Sequence, residues 1–314
     1  MSFQAIGLSA AHIGARPVQS LALEITIGAG QMLLTTGAGG PRAARLALTL
    51  AADGTLWRRR GRHWRALLAG AGRAPPPAGA SAFLTLSWAR GASAGRAVLE
   101  CPATGYMAAG GIDDAALLGD DPAALAARAR PGAAVSSICA HPGPLPVGEV
   151  PTIAQGSLVA TPGGMRPIEA LGPGAAVLDS AGHAHRVRAI TGRTLPPVGR
   201  FRPLRLRAPY LGLMRDVIVT PEQPVAISGT LPHYLFGRPT VLIEARALVH
   251  TGIARPLAAD RPIRCHQLAL PRQILLNVSG AALASRAPGR PPMLAAPLLG
   301  PSEARAVAAE LARR

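Results

Sequence analysis

Residues 152–190 of the 314-residue chain read TIAQGSLVATPGGMRPIEALGPGAAVLDSAGHAHRVRAI. Short apolar runs alternate here with a TPGG turn at residues 161–164 and a brief IEAL segment at residues 168–171. Pro-Gly and Gly-Gly pairs interrupt regular structure, and the apolar runs between them are shorter than a typical helix. The pattern therefore predicts short strands joined by tight turns.

The same stretch resembles the opening of a Hint (hedgehog/intein) domain of the bacterial type. That family opens on a Cys, followed by Gly-Thr, an Ala-Thr-Pro turn and the segment Pro-Val-Glu-Ala-Leu, and further segments follow in a fixed order. The resemblance covers residues 152–286 and implies a compact, β-rich, horseshoe-shaped domain. The matching parts of this chain are residues 156–157 (GS), 160–162 (ATP), 166–171 (RPIEAL), 215–221 (RDVIVTP), 241–249 (VLIEARALV), and then His266, Gly280 and Ser285.

The resemblance also implies a self-cleavage reaction. Hint domains cleave the peptide bond before their first residue by moving the upstream acyl group onto the side chain of that residue. Such an acyl shift needs a nucleophile, an acid that protonates the departing amide nitrogen, and hydrogen bonds to the developing oxyanion. In the family, the leading Cys is the nucleophile and the histidine of a Thr-x-x-His set reaches the scissile amide. In this chain the corresponding bond joins Pro151 to Thr152.

The family-equivalent site residues here are Thr152, Thr220, Gln223 and His266, and two of them depart from the pattern. Thr152 stands where the family has Cys, and its hydroxyl is far less acidic than a thiol with a pKa of about 8.5. Gln223 stands in place of the histidine, and a glutamine amide forms hydrogen bonds but delivers no proton near pH 7. A further departure is Arg272, where the family has a second histidine after His266.

Loss of general acid–base help typically costs about 10²- to 10⁴-fold in rate. We therefore expect a degenerate, non-processing scaffold or binding module. Slow autocatalytic cleavage at Pro151–Thr152 is the alternative, so the sequence leaves open whether the chain is an enzyme.

The first part of the chain predicts a second β domain. Apolar runs such as LALEITIG, QMLLTTG and SAFLTLSW are separated by Gly, Asp or Pro, as is typical of strands in a β-sandwich. A helix is expected at residues 121–130, capped by Asp121, and another at residues 303–313, capped by Ser302. The predicted fold is mainly β with few short helices. Its predicted parts are a sandwich-like domain of unknown ligand at 1–140, a Pro-rich linker at 141–151, the Hint-like domain at 152–286 and a tail with a short helix at 287–314.

The net charge of +17 comes from 33 basic and 16 acidic residues. Such a charge normally indicates a nucleic-acid or membrane-surface partner. Every basic residue here is Arg, with no Lys, and Asn277 is the single asparagine, as in a chain with GC-rich codons. Phosphate contacts accept Lys as readily as Arg, so binding does not explain the absence of Lys. We expect a protein or carbohydrate partner for the first domain, and an Arg-rich nucleic-acid binder remains the second alternative.

Residues 57–65 interleave two Trp with five Arg. Such a segment could stack bases and contact phosphates. The favoured interpretation is a hairpin tip, with Trp57 and Trp64 packed across the strand pair and the arginines solvated.

His183 and His185 could face the same side of a strand as a metal pair, but a turn is favoured because no acidic or Cys ligand stands nearby in sequence. The three cysteines are widely spaced and odd in number, so neither a disulfide framework nor a zinc site is indicated. Cys265 is expected to be a buried small apolar residue. We expect no metal and no cofactor.

Two sequence features bear on localisation. No run of about 18 apolar residues occurs, so no membrane span is expected. The first residues lack a basic start followed by an apolar block, so no cleaved signal peptide is expected either. Cytoplasmic location and export without a cleaved leader both remain open.

Overall fold

The computed structural model describes residues 17–28, 30–36, 46–60, 63–68, 75–113, 115–286 and 294–313. The initial segment, for which no signal peptide was expected, lies outside the described residues. The fold is mainly β, as predicted. The chain divides into two compact units, Met1–Glu149 and Val150–Arg314. The finer division, with a separate linker at 141–151, stays a prediction.

The first unit is built from two five-stranded antiparallel sheets, ordered β10-β1-β6-β7-β8 and β5-β4-β3-β2-β9. Leu23 and Leu84 from one sheet share a buried cluster with Leu48 from the other, so apolar side chains of both sheets form one core. The elements are β1 (Val18–Thr26), β2 (Gln31–Thr36), β3 (Leu46–Leu50), β4 (Leu56–Arg60), β5 (His63–Leu68), β6 (Ser81–Ala89), β7 (Gly95–Cys101), β8 (Tyr106–Ile112), α1 (Pro122–Arg128), β9 (Ala129–Pro131) and β10 (Val135–His141).

The predicted helix in this unit is present and capped as expected. The Asp121 carboxylate accepts a hydrogen bond from the Ala123 N–H at 2.8 Å, and Pro122 occupies the first helical position. The helix ends at Arg128, two residues earlier than predicted, because the chain turns there into β9, which pairs with β2.

In the hairpin of β4 and β5, the side chains are arranged differently from the prediction. Arg59, not Trp57, lies opposite Trp64, and Trp57 lies opposite Ala66. The two rings are therefore diagonal neighbours on one face, 36% and 51% exposed, with the Arg59 guanidinium 5.3 Å from the Trp64 ring centre. Arg58, on the other face, is buried, so the prediction that these arginines are all solvated was wrong.

The second unit contains two six-stranded sheets, ordered β16-β22-β11-β18-β17-β21 and β13-β12-β23-β24-β19-β20, and the two-stranded β14-β15. Its elements are β11 (Ile153–Ala154), β12 (Leu158–Thr161), β13 (Gly164–Pro167), β14 (Ala176–Leu178), β15 (Ala184–Arg186), β16 (Ala189–Leu195), β17 (Leu204–Leu206), β18 (Val217–Val219), β19 (Pro224–Ser228), α2 (Thr230–Phe236), β20 (Thr240–Glu244), β21 (Ala254–Pro256), β22 (Ile263–Ala269), β23 (Leu275–Val278), β24 (Ala281–Ala284) and α3 (Pro301–Ala312).

The core of this unit lies between the two larger sheets. Ile153 and Leu268 from one sheet join Val159 and Leu276 from the other in a single cluster of fully buried side chains. The TPGG turn predicted at residues 161–164 joins β12 to β13, and Gly164 there has φ +101°, a conformation that favours glycine. The local pattern therefore predicts this hairpin correctly.

The final helix differs from the prediction at its start. It begins at Pro301, and its N-cap is Gly300 rather than Ser302. Proline fits the first helical position because it has no N–H to leave unpaired, and the Glu303 carboxylate accepts the Gly300 N–H at 3.0 Å. Ala304, Val307 and Ala308 are buried on its inner face. No helix in the described part of the chain is long and apolar enough to span a membrane.

Candidate functional site

The predicted site residues lie around the start of β11, in the interior of a six-stranded sheet. Ile153 pairs with Val219 on one side and with His266 on the other. One residue earlier, Thr152 accepts the Thr220 N–H at its carbonyl oxygen, at 2.8 Å. The family-derived positions Thr152 and Thr220 are thus joined through the backbone.

Gln223 reaches the hydroxyl of Thr152. The Thr152 Oγ1 donates a short hydrogen bond to the Gln223 Oε1. The Gln223 Nε2 donates to the Pro224 carbonyl at 2.8 Å and to the Ala284 carbonyl at 3.0 Å, so both of its hydrogens are used. Gln223 is fully buried and presents only its oxygen to Thr152.

Gln267 contacts Thr152 from the opposite side. Its Oε1 lies 2.7 Å from the Thr152 Oγ1 and 3.3 Å from the Thr152 N, whose N–H it accepts. A hydroxyl carries one hydrogen, so Thr152 donates to only one of the two amide oxygens at a time. Gln267 was not among the residues predicted from the sequence. Gln267 lies opposite Thr152 because β22 pairs with β11, and the local sequence does not reveal the register of that pairing.

Thr220 is buried, and its hydroxyl has no hydrogen-bond partner among the described residues. Its backbone is well fixed, because the Thr220 carbonyl accepts the Gln223 N–H at 3.1 Å. Thr220 thus belongs to the site through its main chain, and its side chain makes no bond to Thr152.

His266 points away from the other three predicted residues. Because it pairs with Ile153, it lies on the opposite face of the sheet from Thr152 and Gln267. It packs over Gly192, where an added Cβ would lie 3.1 Å from the His266 Cε1. Its ring nitrogens are buried without a hydrogen-bond partner in the described part of the chain.

The pKa of His266 is lowered from its ordinary value, first by burial and then by the positive charge of Arg264, while Glu169 opposes the shift. The imidazole is therefore neutral at neutral pH. The structure brings Thr152, Thr220 and Gln223 together and places the His266 side chain elsewhere.

A buried ion pair holds the turn that carries Thr220 and Gln223. The Arg200 Nε and Nη2 lie 2.6 and 2.8 Å from the two carboxylate oxygens of Glu222. The Arg246 N–H donates to the Pro221 carbonyl at 3.0 Å. These contacts hold the two central residues of the turn, Pro221 and Glu222, and Arg200 was not predicted from the sequence.

Cys265 is buried, as predicted, and burial raises its pKa to about 12. Its thiol therefore stays protonated at neutral pH. All three cysteines are free. Cys265 lies on the same face of its sheet as Gln267.

The two histidines of the β14–β15 hairpin have an acidic neighbour, Asp179, which was not predicted from the sequence. The Asp179 Oδ2 lies 2.9 Å from the His185 Nε2 and 3.3 Å from the His183 Nδ1. Burial raises the pKa of Asp179, but hydrogen bonds from His185, His183 and Ala181 outweigh it and lower that pKa to about 2. The predicted turn is present. No group of three His, Cys, Asp or Glu side chains within the described residues has the arrangement of a metal site.

Comparison with known proteins finds a similarity in the second unit. The family model of the Hint domain matches residues 151–290. Among solved structures, a bacterial intein-like domain from Clostridium thermocellum is 13% identical, with a TM-score of 0.29, and covers 44% of this chain and 99% of its own. The gp41-1 intein is 11% identical, with a TM-score of 0.26, covering 44% and 98%. The MchDnaB-1 intein is 17% identical, with a TM-score of 0.27, covering 42% and 98%. No curated protein matches the chain.

Proposed function

We propose that the Hint domain at residues 151–290 is a non-processing scaffold or binding module. The observation that carries this proposal is the orientation of the Gln223 amide. Its two hydrogens are donated to the Pro224 and Ala284 carbonyls, so only its oxygen meets the Thr152 hydroxyl. Gln223, at the position of the family histidine, therefore hydrogen-bonds to Thr152, at the position of the family nucleophile, and does not act as an acid.

The chemistry of an acyl shift explains why this orientation matters. The Thr152 Oγ1 would bond to the Pro151 carbonyl carbon and lose its proton, while the bond to the Thr152 nitrogen breaks and that nitrogen gains a proton. Both side chains hydrogen-bonded to Thr152 are neutral glutamine amides, which neither accept nor deliver a proton near pH 7. Absence of general acid–base help supports a rate about 10²- to 10⁴-fold below that of a competent site.

Intact mass spectrometry of the purified chain tests the proposal. We expect one species at 32.1 kDa, with and without hydroxylamine or a thiol, because no acyl intermediate forms. A fragment that begins at Thr152 would support the alternative, slow self-cleavage at Pro151–Thr152. The matched control is Thr152→Ala, since a fragment that persists without the hydroxyl comes from a contaminating protease.

For the first unit we propose carbohydrate recognition. The supporting observation is the outer face of the β4–β5 hairpin, where Trp57 and Trp64 are exposed beside Arg59. Exposed indole rings offer a flat apolar face with a polar edge. Such a face suits the apolar side of a sugar ring.

A glycan array with the whole chain tests this second proposal. We expect binding that is lost in Trp64→Ala and kept in Arg65→Ala, whose side chain lies on the other face of the hairpin. Binding to a protein ligand alone would contradict the carbohydrate proposal. Salt-sensitive retention on DNA, lost in the same Trp64→Ala variant, would favour the nucleic-acid alternative.

A further inference from the structure

We propose that the second unit carries a peptide-docking surface, and that residues 295–312 of this chain, the seated segment, are its ligand. The surface has three parts: the outer edge of β20, an apolar patch beside it, and the 3-10 helical segment Ala245–Thr251. The residues that match the Hint family model end at 290, before the seated segment begins. The proposal goes beyond the function proposed above and holds whether or not the Pro151–Thr152 bond is cut.

The edge of β20 takes the seated segment as an added parallel strand. Leu242 donates its N–H to the Pro297 carbonyl at 2.8 Å, and its own carbonyl accepts the Leu299 N–H at 2.9 Å. Leu242 and Leu298 thus form a parallel bridge. β20 is the last strand of its sheet, and the edge of a sheet presents main-chain groups that can pair with a further chain. Addition of an extended segment to such an edge is a common mode of peptide recognition.

The apolar patch lies next to this edge and takes small side chains. Ala226, Leu242 and Ala284, from three adjacent strands, form a cluster with Ala296 of the seated segment, and Leu298 packs against it. This cluster is separate from the main core of the second unit. The seated segment therefore covers an apolar face that these strands present on the side away from their core.

A buried amide fixes the start of the seated segment. The Gln273 Oε1 accepts the Ala295 N–H at 2.7 Å, and the Gln273 Nε2 donates to the Ser285 carbonyl at 3.0 Å. Gln273 is only 7% exposed. A buried acceptor without a partner is costly, so this oxygen favours a main-chain N–H at the place where the segment enters.

Helix α3 completes the contact with one of its faces. Ala304, Val307 and Ala308 recur at the spacing of a single helix face and are buried, and α3 packs against the segment Ala245–Thr251. Ala309, on the opposite side of α3, is exposed. The partner that fits this surface is therefore an extended apolar stretch followed by a helix with small side chains along one face.

An engineered cut tests whether the seated segment behaves as a ligand. A site-specific protease site in place of residues 287–293 allows the full chain to be cut ahead of the segment. We expect the released fragment to co-elute with the rest of the chain in gel filtration, and an excess of fluorescent peptide 294–313 to replace it. The circular dichroism of the remaining sheets should not change.

Three outcomes of this experiment would overturn the proposal. They are a fragment that never exchanges, a fragment that leaves and cannot be replaced by the peptide, and unfolding of the sheets when the fragment leaves. Intact mass distinguishes this engineered cut from a cut before Thr152, so a failure of the proposed function is read separately.

Matched peptides test the two kinds of contact. A peptide with Ala308→Asp should bind at least about ten-fold more weakly than one with Ala309→Asp, because only the first buries a charge. N-methylation of Leu299 removes the donor to β20 and should weaken binding more than N-methylation of Leu298, whose N–H faces away from that strand. Equal affinities within either pair would overturn the proposal.

Hydrogen exchange tests the proposal in the unmodified chain. The amides of Leu299 and Val307 should exchange at least about ten-fold faster than that of Leu283, which lies in β24 between two paired strands, because the segment opens without the sheets. Equal rates would place the segment in the same cooperative unit as the sheets and overturn the proposal. Dimers that exchange segments between uncut chains would make a second copy the occupant and also overturn it.

Discussion

Arg200 and Glu222 form a buried, two-pronged ion pair, with the Arg200 Nε 2.6 Å and the Nη2 2.8 Å from the two carboxylate oxygens. Glu222 lies between Thr220 and Gln223 in the turn that supports Thr152. The Nη2–Oε2 contact is a hydrogen bond, and the Nε–Oε1 contact is an ion-pair contact. The ion pair is therefore a structural anchor of the candidate site.

Removing one partner of this pair should destabilise the second unit strongly. Arg200→Ala leaves the Glu222 carboxylate largely buried, facing the Arg246 Nη2 at 3.7 Å. Breaking a buried pair costs about 3–5 kcal/mol, and because Arg246 compensates part of the charge we expect a loss toward the lower end of that range. Chemical unfolding in urea measures the loss. The matched control is Arg205→Ala, which breaks a half-exposed pair to Asp216 and should cost at most about 1 kcal/mol.

A double variant separates charge from packing. Arg200→Met with Glu222→Leu should recover most of the lost unfolding free energy, because both charges of the buried pair are removed and Arg246 keeps its ion pair with Glu244. Equal losses for Arg200→Ala and Arg205→Ala would contradict the role assigned to the buried pair.

A side chain at Gly192 is predicted to crowd His266. An added Cβ would lie 3.1 Å from the His266 Cε1 and 3.2 Å from its Nδ1, tighter than nine in ten such contacts, so the buried ring would have to shift by a few tenths of an ångström. Gly192→Ala should therefore lower the free energy of unfolding by about 1–3 kcal/mol. The loss should be smaller when the same change is made in His266→Ala. Gly172→Ala is the control, since an added Cβ there meets no atom within 4 Å.

Local spacing in the sequence predicted which residues of the second unit would be neighbours. Spacing within a resembling motif pointed to Thr152, Thr220 and Gln223, and the fold brings these three together. Gln267 is 115 residues away from Thr152, and only the pairing of β11 with β22 makes them neighbours. The resemblance carried over His266, whereas strand alternation turns that side chain to the other face. Register is thus the information that the local pattern lacks.

The low pKa of Asp179 predicts a loss of stability in acid. Its pKa is about 2 in the folded chain and 3.8 in an unperturbed carboxyl, so the folded state favours the ionised form. The stabilisation is present above about pH 4 and is lost as the pH falls toward 2. Urea unfolding across this range should show a shallower pH dependence in Asp179→Asn than in the unmodified chain. Asp260→Asn, at an exposed carboxyl, is the control, and equal slopes for all three proteins would contradict the prediction.

Burial of Cys265 predicts a selective pattern of thiol alkylation. Burial raises the pKa of Cys265 to about 12 and also raises that of Cys139, so both thiols are largely protonated at pH 7 to 8. Cys139 is only half-buried, whereas Cys101 and Cys265 are buried. Because the reagent must also reach the sulfur, we expect iodoacetamide to modify Cys139 first, and Cys101 and Cys265 only as the chain unfolds.

Peptide mass mapping over time checks the order, with guanidinium-unfolded protein as the control in which all three react. Early modification of Cys265 in the folded chain would show that the site face of β22 opens to solvent, contrary to the hydrogen-bonded arrangement around Thr152.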